Sequence, residues 1–311
     1  MPHGAWLLQA APAPDAPFLA LEPHWGQPRS LMARQDSSEF LGSDAGQLSV
    51  LKRAIRNCEL TLRFQPIVSL QERLPCGVEA RPSWQDPQRG VRSADALMEL
   101  ADRHGLVSSL ISAQTEQACA LVEALSSRSY GAEPATVSLN IATRYLCDRA
   151  VVEDIVGIVS RTSIDPSRLV IVLNEATSLA RRTQIHVPLL ALRAAGVQLA
   201  LGQFCTGSWS MTDLRDFAVS SLTIDTTFVA GLPQSSNDHA IASSLVHLAH
   251  DLGLLCMAEG VKDHSQASVL DAIGCDRGVG PYWGPPVPEV EVELLLKRLG
   301  QSRLQPIGRR R

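Results

Sequence analysis

The sequence is poor in lysine, in paired cysteines and in long apolar runs. Lysine occurs only at Lys52, Lys262 and Lys297. A functional site formed by other parts of the chain therefore contains no lysine. The 7 cysteines occur singly, without a CxxC pair, which argues against a disulfide framework and a zinc site and favours a reducing cytoplasm. No run of about 18 uninterrupted apolar residues occurs, so no transmembrane helix is predicted.

The N-terminal apolar stretch lacks a basic n-region and is interrupted by Pro12 and Pro14, so no signal peptide is predicted. The formal net charge is −4, from 28 basic and 32 acidic residues. That balance gives no electrostatic reason to expect nucleic acid or a membrane as a partner. We therefore expect a soluble, cytoplasmic protein.

Composition divides the chain into three predicted parts. Residues 1–45 are rich in Pro, Ala, Gly and Ser, which predicts a poorly ordered leader. Residues 46–300 alternate strand and helix patterns and are predicted to form the folded domain. Residues 301–311 end in three arginines, too few to indicate nucleic-acid binding, and are predicted to be a solvated basic tail.

The folded part is predicted to be an α/β protein with a parallel sheet. Amphipathic helical patterns alternate with short apolar segments at Leu62–Val68, Gly77–Arg81, Thr136–Leu139, Leu169–Leu173, Val197–Leu201, Ser221–Ile224 and Leu255–Ala258. The number of units is close to eight, which favours a closed, TIM-like (β/α)8 barrel over an open sheet. In such a barrel the functional residues lie at the carboxyl ends of the strands.

Polar residues do follow several of these strands. They are Glu79, Asn140, Asn174, Glu175, Gln203, Asp225 and Glu259. Oxygen ligands that converge at one barrel mouth are typical of a hard-cation site. The alternative is that they cap helices or meet water, and the pattern alone does not decide between the two.

One loop lies where a barrel usually has catalytic residues but contains few residues that could take part in catalysis. The strand Val197–Leu201 stops at Gly202, and the loop GQFCTG follows. This loop contains neither acid nor base, and Cys205 is its one candidate nucleophile.

Eight motifs, in order, resemble the EAL domain, a family of cyclic di-GMP phosphodiesterases and their inactive relatives. They are LTLRFQPIVSL, VEARPSW, VSLNIA, RLVIVLNEATS, GVQLALGQFCTG, VSSLTIDTTFV, CMAEGVKDHSQ and LDAIGCDRGVGPYWGPPVP. The resemblance covers about Leu60 to Leu299 and implies a modified (β/α)8 barrel. It also implies that active members use two metal ions held by carboxylates, and a lysine that contacts the attacking water.

The resemblance marks this chain as a degenerate member. Matching residues are kept at Glu79, Asn140, Glu175, Asp225 and Glu259, where Glu175 corresponds to a glutamate that steadies the loop after the next strand. Matching residues are lost at Val172, Gly202, Gln203, Thr223 and Val279, and Ser83 replaces a phosphate-holding arginine. Two divalent ions about 4 Å apart need several carboxylates to offset their repulsion, so no intact catalytic site is predicted.

The sequence therefore predicts a regulatory module of bacterial cyclic di-GMP signalling that is not an enzyme and acts by binding a protein. A cyclic di-GMP receptor, with Gln65 as a ligand-binding residue, and a residual phosphodiesterase remain as alternatives. No cofactor is expected, although one weakly held Mg²⁺ at Glu79, Asn140 and Glu259 stays open.

The predicted partner surface is the neutral segment that contains Phe204, Trp209 and Met211. An exposed Trp and Met would suit an interface anchor for a protein partner or a second copy of the chain. The alternative, favoured for Trp209, is that it packs into the space that the lost ligands left.

Overall fold

The computed structural model describes residues 44–56, 59–86, 90–93, 95–126, 130–131, 133–174, 182–206 and 209–301. Most of the predicted leader and nearly all of the basic tail lie outside these ranges, and so does Glu175. The first helix of the described residues begins at Asp44, two residues before the predicted start of the folded domain.

Ten strands are present in the described part of the chain. Their bounds are β1 Leu60–Ser69, β2 Pro75–Asp86, β3 Gly90–Ser93, β4 Thr136–Ala142, β5 Leu169–Asn174, β6 Gln198–Phe204, β7 Ser221–Ile224, β8 Leu255–Glu259, β9 Arg277–Val279 and β10 Val287–Pro288. All seven predicted strand segments lie within or overlap these strands. The short strands β3, β9 and β10 were not predicted.

Eight of these strands close into a barrel. The order runs β1, β9, β8, β7, β6, β5, β4, β2, and β2 pairs back onto β1. Strand β1 is antiparallel to both neighbours, β2 and β9, whereas the pairs from β2–β4 to β8–β9 are parallel. The predicted modified (β/α)8 barrel is thus confirmed, and the single reversed strand is its modification.

Helices connect the strands in the described chain. Their bounds are α1 Asp44–Arg56, α2 Asp95–Arg103, α3 Val107–Ala124, α4 Thr143–Leu146, α5 Arg149–Arg161, α6 Arg182–Ala194, α7 Met211–Asp216, α8 Thr226–Gly231, α9 Ser236–Asp251, α10 His264–Ala272 and α11 Glu289–Gln301, with a 3-10 turn at Pro166–Arg168. Within the described residues, none of the helices is both long enough and apolar enough to cross a membrane.

The barrel interior shows which strand positions face one another. Val170 and Val172 of β5 form an apolar cluster with Ala200 of β6. Because side chains alternate across a strand, the next residues on the same face are Asn174 and Gly202. The two strands therefore present an apolar layer first and then a polar position at their carboxyl ends.

Candidate functional site

Glu79 lies at the centre of the polar residues at the barrel mouth. It is 4% exposed and both of its carboxylate oxygens are engaged. Asn140 on the neighbouring strand β4 donates from Nδ2 to Glu79 Oε1 at 2.6 Å. The Nε and Nη2 atoms of Arg81, two residues along β2, donate to Glu79 Oε2 at 3.0 and 2.7 Å. Glu79 is thus neutralised by a guanidinium of the same strand.

Asn174 extends this arrangement to a third strand. It donates from Nδ2 to Asn140 Oδ1 at 3.0 Å, so Arg81, Glu79, Asn140 and Asn174 form one continuous hydrogen-bonded chain. The Asn174 carboxamide also lies against Gly202. A Cβ built at Gly202 would overlap Asn174 Oδ1 and come within 3.0 Å of Val172 Cγ1, so the present arrangement leaves no space for a side chain there.

Glu259 completes the acidic residues of the mouth, and the pKa of its carboxyl is raised to about 8. Desolvation by the surrounding protein is the largest cause, followed by the negative charge of Glu79, while Arg81 lowers the value and Asp225 raises it. A carboxyl with such a pKa keeps its proton through most of the neutral range. At neutral pH it therefore adds little negative charge to the mouth.

The other retained acid, Asp225, has a structural task. Its Oδ1 accepts from the backbone N–H of Thr227 at 2.8 Å and it is the N-cap of α8. Of the two readings of strand-end polar residues, helix capping is the one that holds at this position.

Two of the positions at which the resemblance predicts a lost family residue are buried in the structure. Val279 packs in a buried cluster with Ile67 and Met257. Thr223 is fully buried, and its Oγ1 has no hydrogen-bond partner among the described residues. Neither side chain can supply a charge to the mouth.

The residues considered for nucleotide binding are also buried. Gln65 is 3% exposed and donates from Nε2 to the backbone carbonyl of Gly284 at 3.0 Å. Ser83 is buried, and no described residue pairs with its hydroxyl. Arg81 keeps 45% of its side chain exposed, which makes it the cation of this group that a ligand could reach.

This set of residues does not fit a pair of divalent cations. In the described ranges, no three His, Cys, Asp or Glu side chains come together as metal ligands. Glu79 already accepts three hydrogen bonds, and the carboxamide oxygen of Asn140 is occupied by Asn174. A cation would have to displace Arg81 and break the amide chain.

The loop after β6 keeps an unusual backbone. Gln203 and Cys205 have φ values of 53° and 69°, a left-handed conformation that non-glycine residues rarely adopt. The pairing of β6 with β7 shifts register between Leu201 and Phe204. Partial burial raises the pKa of the Cys205 thiol, so this cysteine is not activated as a nucleophile.

The predicted partner anchors in this loop need a correction. Phe204 is 2% and Trp209 is 8% exposed, so the expectation that they reach a partner from an open surface is wrong. Trp209 packs edge-on against Phe217, with ring centroids 6.1 Å apart. Met211 is 60% exposed and stays available.

The sequence reasoning found the strand-end residues but not their connections. It did not predict that Arg81 pairs with Glu79, or that Asn174 fills the space beside Gly202. The sequence does place Asn174 and Gly202 at the carboxyl ends of two neighbouring strands. Only the register between β5 and β6, however, brings them into contact.

Comparison with known proteins shows the family of this chain. Residues 49–286 match the family model described as the EAL domain. The bifunctional diguanylate cyclase/cyclic di-GMP phosphodiesterase MucR of Pseudomonas aeruginosa is 28% identical over 291 residues, which cover 87% of this chain and 42% of that protein. The cyclic di-GMP phosphodiesterase NbdA of the same organism is 27% identical, over 79% of this chain and 31% of that protein. The chain thus spans less than half the length of these relatives.

Solved structures give the same result. The phosphodiesterase PaMucR in a complex with c-di-GMP superposes with a TM-score of 0.72 at 29% identity and covers 79% of this chain and 99% of that one. The Xanthomonas citri FimX EAL domain, also in complex with c-di-GMP, has a TM-score of 0.69 at 19% identity and covers 84% of this chain and 97% of that one, a likeness of fold alone. The chain belongs to the EAL domain family.

Proposed function

We propose that this chain is a non-catalytic EAL module of cyclic di-GMP signalling that acts through protein–protein interaction. The observation that carries the proposal is the state of Glu79, the glutamate after which the family is named. Its carboxylate is held by Arg81 and Asn140 at 2.6–3.0 Å, so the charge that would bind a metal is neutralised within the protein.

The charge at the mouth supports the same conclusion. Hydrolysis by two metals requires carboxylates that hold both ions and offset their repulsion. Here Arg81 balances Glu79, and the raised pKa of Glu259 keeps that carboxyl largely protonated at neutral pH. Apart from Asp225, which caps α8, the acidic residues of the mouth thus add little net charge, which lowers the cost of covering it with another protein.

Metal titration tests the loss of the catalytic site. Calorimetry of the purified protein with Mg²⁺ and with Mn²⁺ should show no saturable binding in the millimolar range. Glu79→Gln serves as the matched control and should give the same trace. Saturable binding that Glu79→Gln abolishes would overturn the non-catalytic assignment and support a residual phosphodiesterase.

The proposed partner surface is centred on Met211, because it begins α7 directly after the loop and is 60% exposed. The occupant we propose is a protein, either a second copy of this chain or another component. Light scattering of the purified chain tests the first, and recovery of co-purified protein tests the second.

Met211→Lys should weaken the association about tenfold or more if Met211 is an anchor. Leu252→Lys is the control, because Leu252 is comparably exposed, at 49%, but lies at the end of α9. Equal association of both variants and the wild type would show that the surface lies elsewhere.

A cyclic di-GMP receptor is the second candidate, and the exposed Arg81 at the barrel mouth favours it. A structural relative at 29% identity was solved with c-di-GMP. Titration of cyclic di-GMP without metal should show binding that Arg81→Ala removes if this candidate is correct. The engagement of Gln65 with Gly284 favours the absence of binding.

A further inference from the structure

We infer that Asn174 and Gly202 are an interdependent pair and that Asn174 is the positioning residue for Asn140. Its carboxamide takes the space beside position 202 and holds Asn140 against Glu79. A side chain at position 202 therefore requires the Asn174 carboxamide to move. This pairing does not depend on what the chain binds.

The geometry that supports the pair involves two neighbouring parallel strands. In the register of β5 and β6, Val172 lies opposite Ala200, which places Asn174 opposite Gly202 two residues further on. The Asn174 carboxamide fills the gap that the missing side chain of Gly202 leaves. An aspartate or alanine at 202 could fit only if that carboxamide moved.

Movement of the carboxamide would be costly because of its hydrogen bond. Asn174 Nδ2 donates to Asn140 Oδ1 at 3.0 Å, and Asn140 in turn donates to the buried Glu79. Displacement of Asn174 would leave Asn140 Oδ1 without this donor and loosen the chain that orients Asn140. Asn174 Oδ1 itself is buried with no hydrogen-bond partner in the described residues, so packing against Gly202, and not a second hydrogen bond, holds that end.

A double-mutant cycle in thermal stability tests the pair. Gly202→Ala should lower Tm by roughly 3 °C or more, because its Cβ meets the Asn174 carboxamide. Asn174→Ala should lower Tm in the wild-type background, since it removes the donor to Asn140. In the Gly202→Ala background the same change should raise Tm, because it removes the overlap.

The reversal of sign distinguishes a positioning residue from an independently stabilising one. Gly157→Ala is the control, because a Cβ there meets only the Arg161 guanidinium at an ordinary 3.4 Å. Asn174→Ala should have the same effect with and without Gly157→Ala.

Equal losses from Asn174→Ala in the wild-type and Gly202→Ala backgrounds would overturn the inference, as would a Gly202→Ala variant as stable as the wild type. If Gly202→Ala does not fold, recovery of a folded protein by Asn174→Ala supports the inference. Failure of both variants to fold would instead assign the restriction to Val172, whose Cγ1 is 3.0 Å from the same Cβ, and would also overturn it.

Discussion

Arg81 supplies the positive charge that pairs with Glu79 at the barrel mouth. It is an ordinary residue by sequence, one of many arginines, yet its guanidinium makes two charge-assisted hydrogen bonds to the buried Glu79. Removal of one partner of such a pair leaves the other charge buried without compensation. We therefore expect the Arg81–Glu79 pair to contribute to the stability of the barrel.

Arg81→Gln should accordingly lower the free energy of unfolding by about 1–2 kcal/mol. The control is Arg149→Gln, which breaks an exposed i,i+4 pair with Glu153 and should change stability by less than about 0.5 kcal/mol. Denaturant unfolding of both variants gives the comparison. Equal midpoints for the two variants would show that the Arg81–Glu79 pair contributes nothing beyond a surface contact.

Glu259 predicts how stability changes with pH. Its pKa is raised to about 8 in the folded protein, whereas an exposed glutamate in the unfolded chain titrates near its ordinary value of about 4.3. Between these two pKa values the folded state therefore binds more protons than the unfolded chain. As a result, the contribution of Glu259 to the free energy of unfolding falls as the pH rises from about 5 to about 8.

Glu259→Gln should remove this part of the pH dependence. The variant should lose less stability than the wild type between pH 5 and pH 8, and should be relatively more stable at the upper end. Chemical unfolding across this range, with a chelator present, measures the difference. Parallel profiles for the two proteins would show that Glu259 titrates normally.

The helix that follows β7 gives Asp225 a structural role. Asp225 caps α8 by accepting from Thr227 N, and the loss of an N-cap costs about 0.5–2 kcal/mol. Asp225→Ala should therefore lower stability by about 1 kcal/mol, while Asp225→Ser should retain most of it. If the two variants are equally destabilised in denaturant, capping is not what Asp225 supplies.

The chain after β6, up to the first residue of α7, contains one buried and one exposed residue of the predicted partner surface. Trp209 packs on Phe217 at the base of α7, so it belongs to the interior and not to an interface. Trp209→Ala should cost about 3 kcal/mol through the cavity it leaves, whereas Met211→Ala should be near neutral because Met211 is exposed. Thermal unfolding checks both predictions. A Trp209→Ala variant as stable as the wild type would show that the Trp209 side chain does not stabilise the interior.

The sequence patterns predicted most of the strands in the structure, but not all of them. Alternating apolar segments predicted β1, β2 and β4 to β8. The three-residue β9 was missed because it contains Gly278 and owes its extended form to pairing with β1 and β8 on either side. A strand that depends on its neighbours carries little signal of its own.

For the molecule as a whole, barrel closure was predictable and the polar network was not. The near-eightfold alternation predicts a closed barrel, and the pairing of β1 with β2 and β9 closes it. Which side chains meet at the mouth depends on register between strands distant in sequence. Asn140 bonds to Glu79 across 61 residues of sequence and to Asn174 across 34, and no local pattern encodes these two contacts. Arg81 lies only two residues from Glu79 on the same strand.

The proposed function requires that the barrel is retained while hydrolysis is lost. The most direct measurement is turnover of cyclic di-GMP by the purified chain, with Mg²⁺ or Mn²⁺, followed as linear dinucleotide by chromatography. We expect no product above a no-enzyme control, and no difference between the wild type and Glu79→Ala. Metal-dependent turnover by the wild type that disappears in Glu79→Ala would contradict the account.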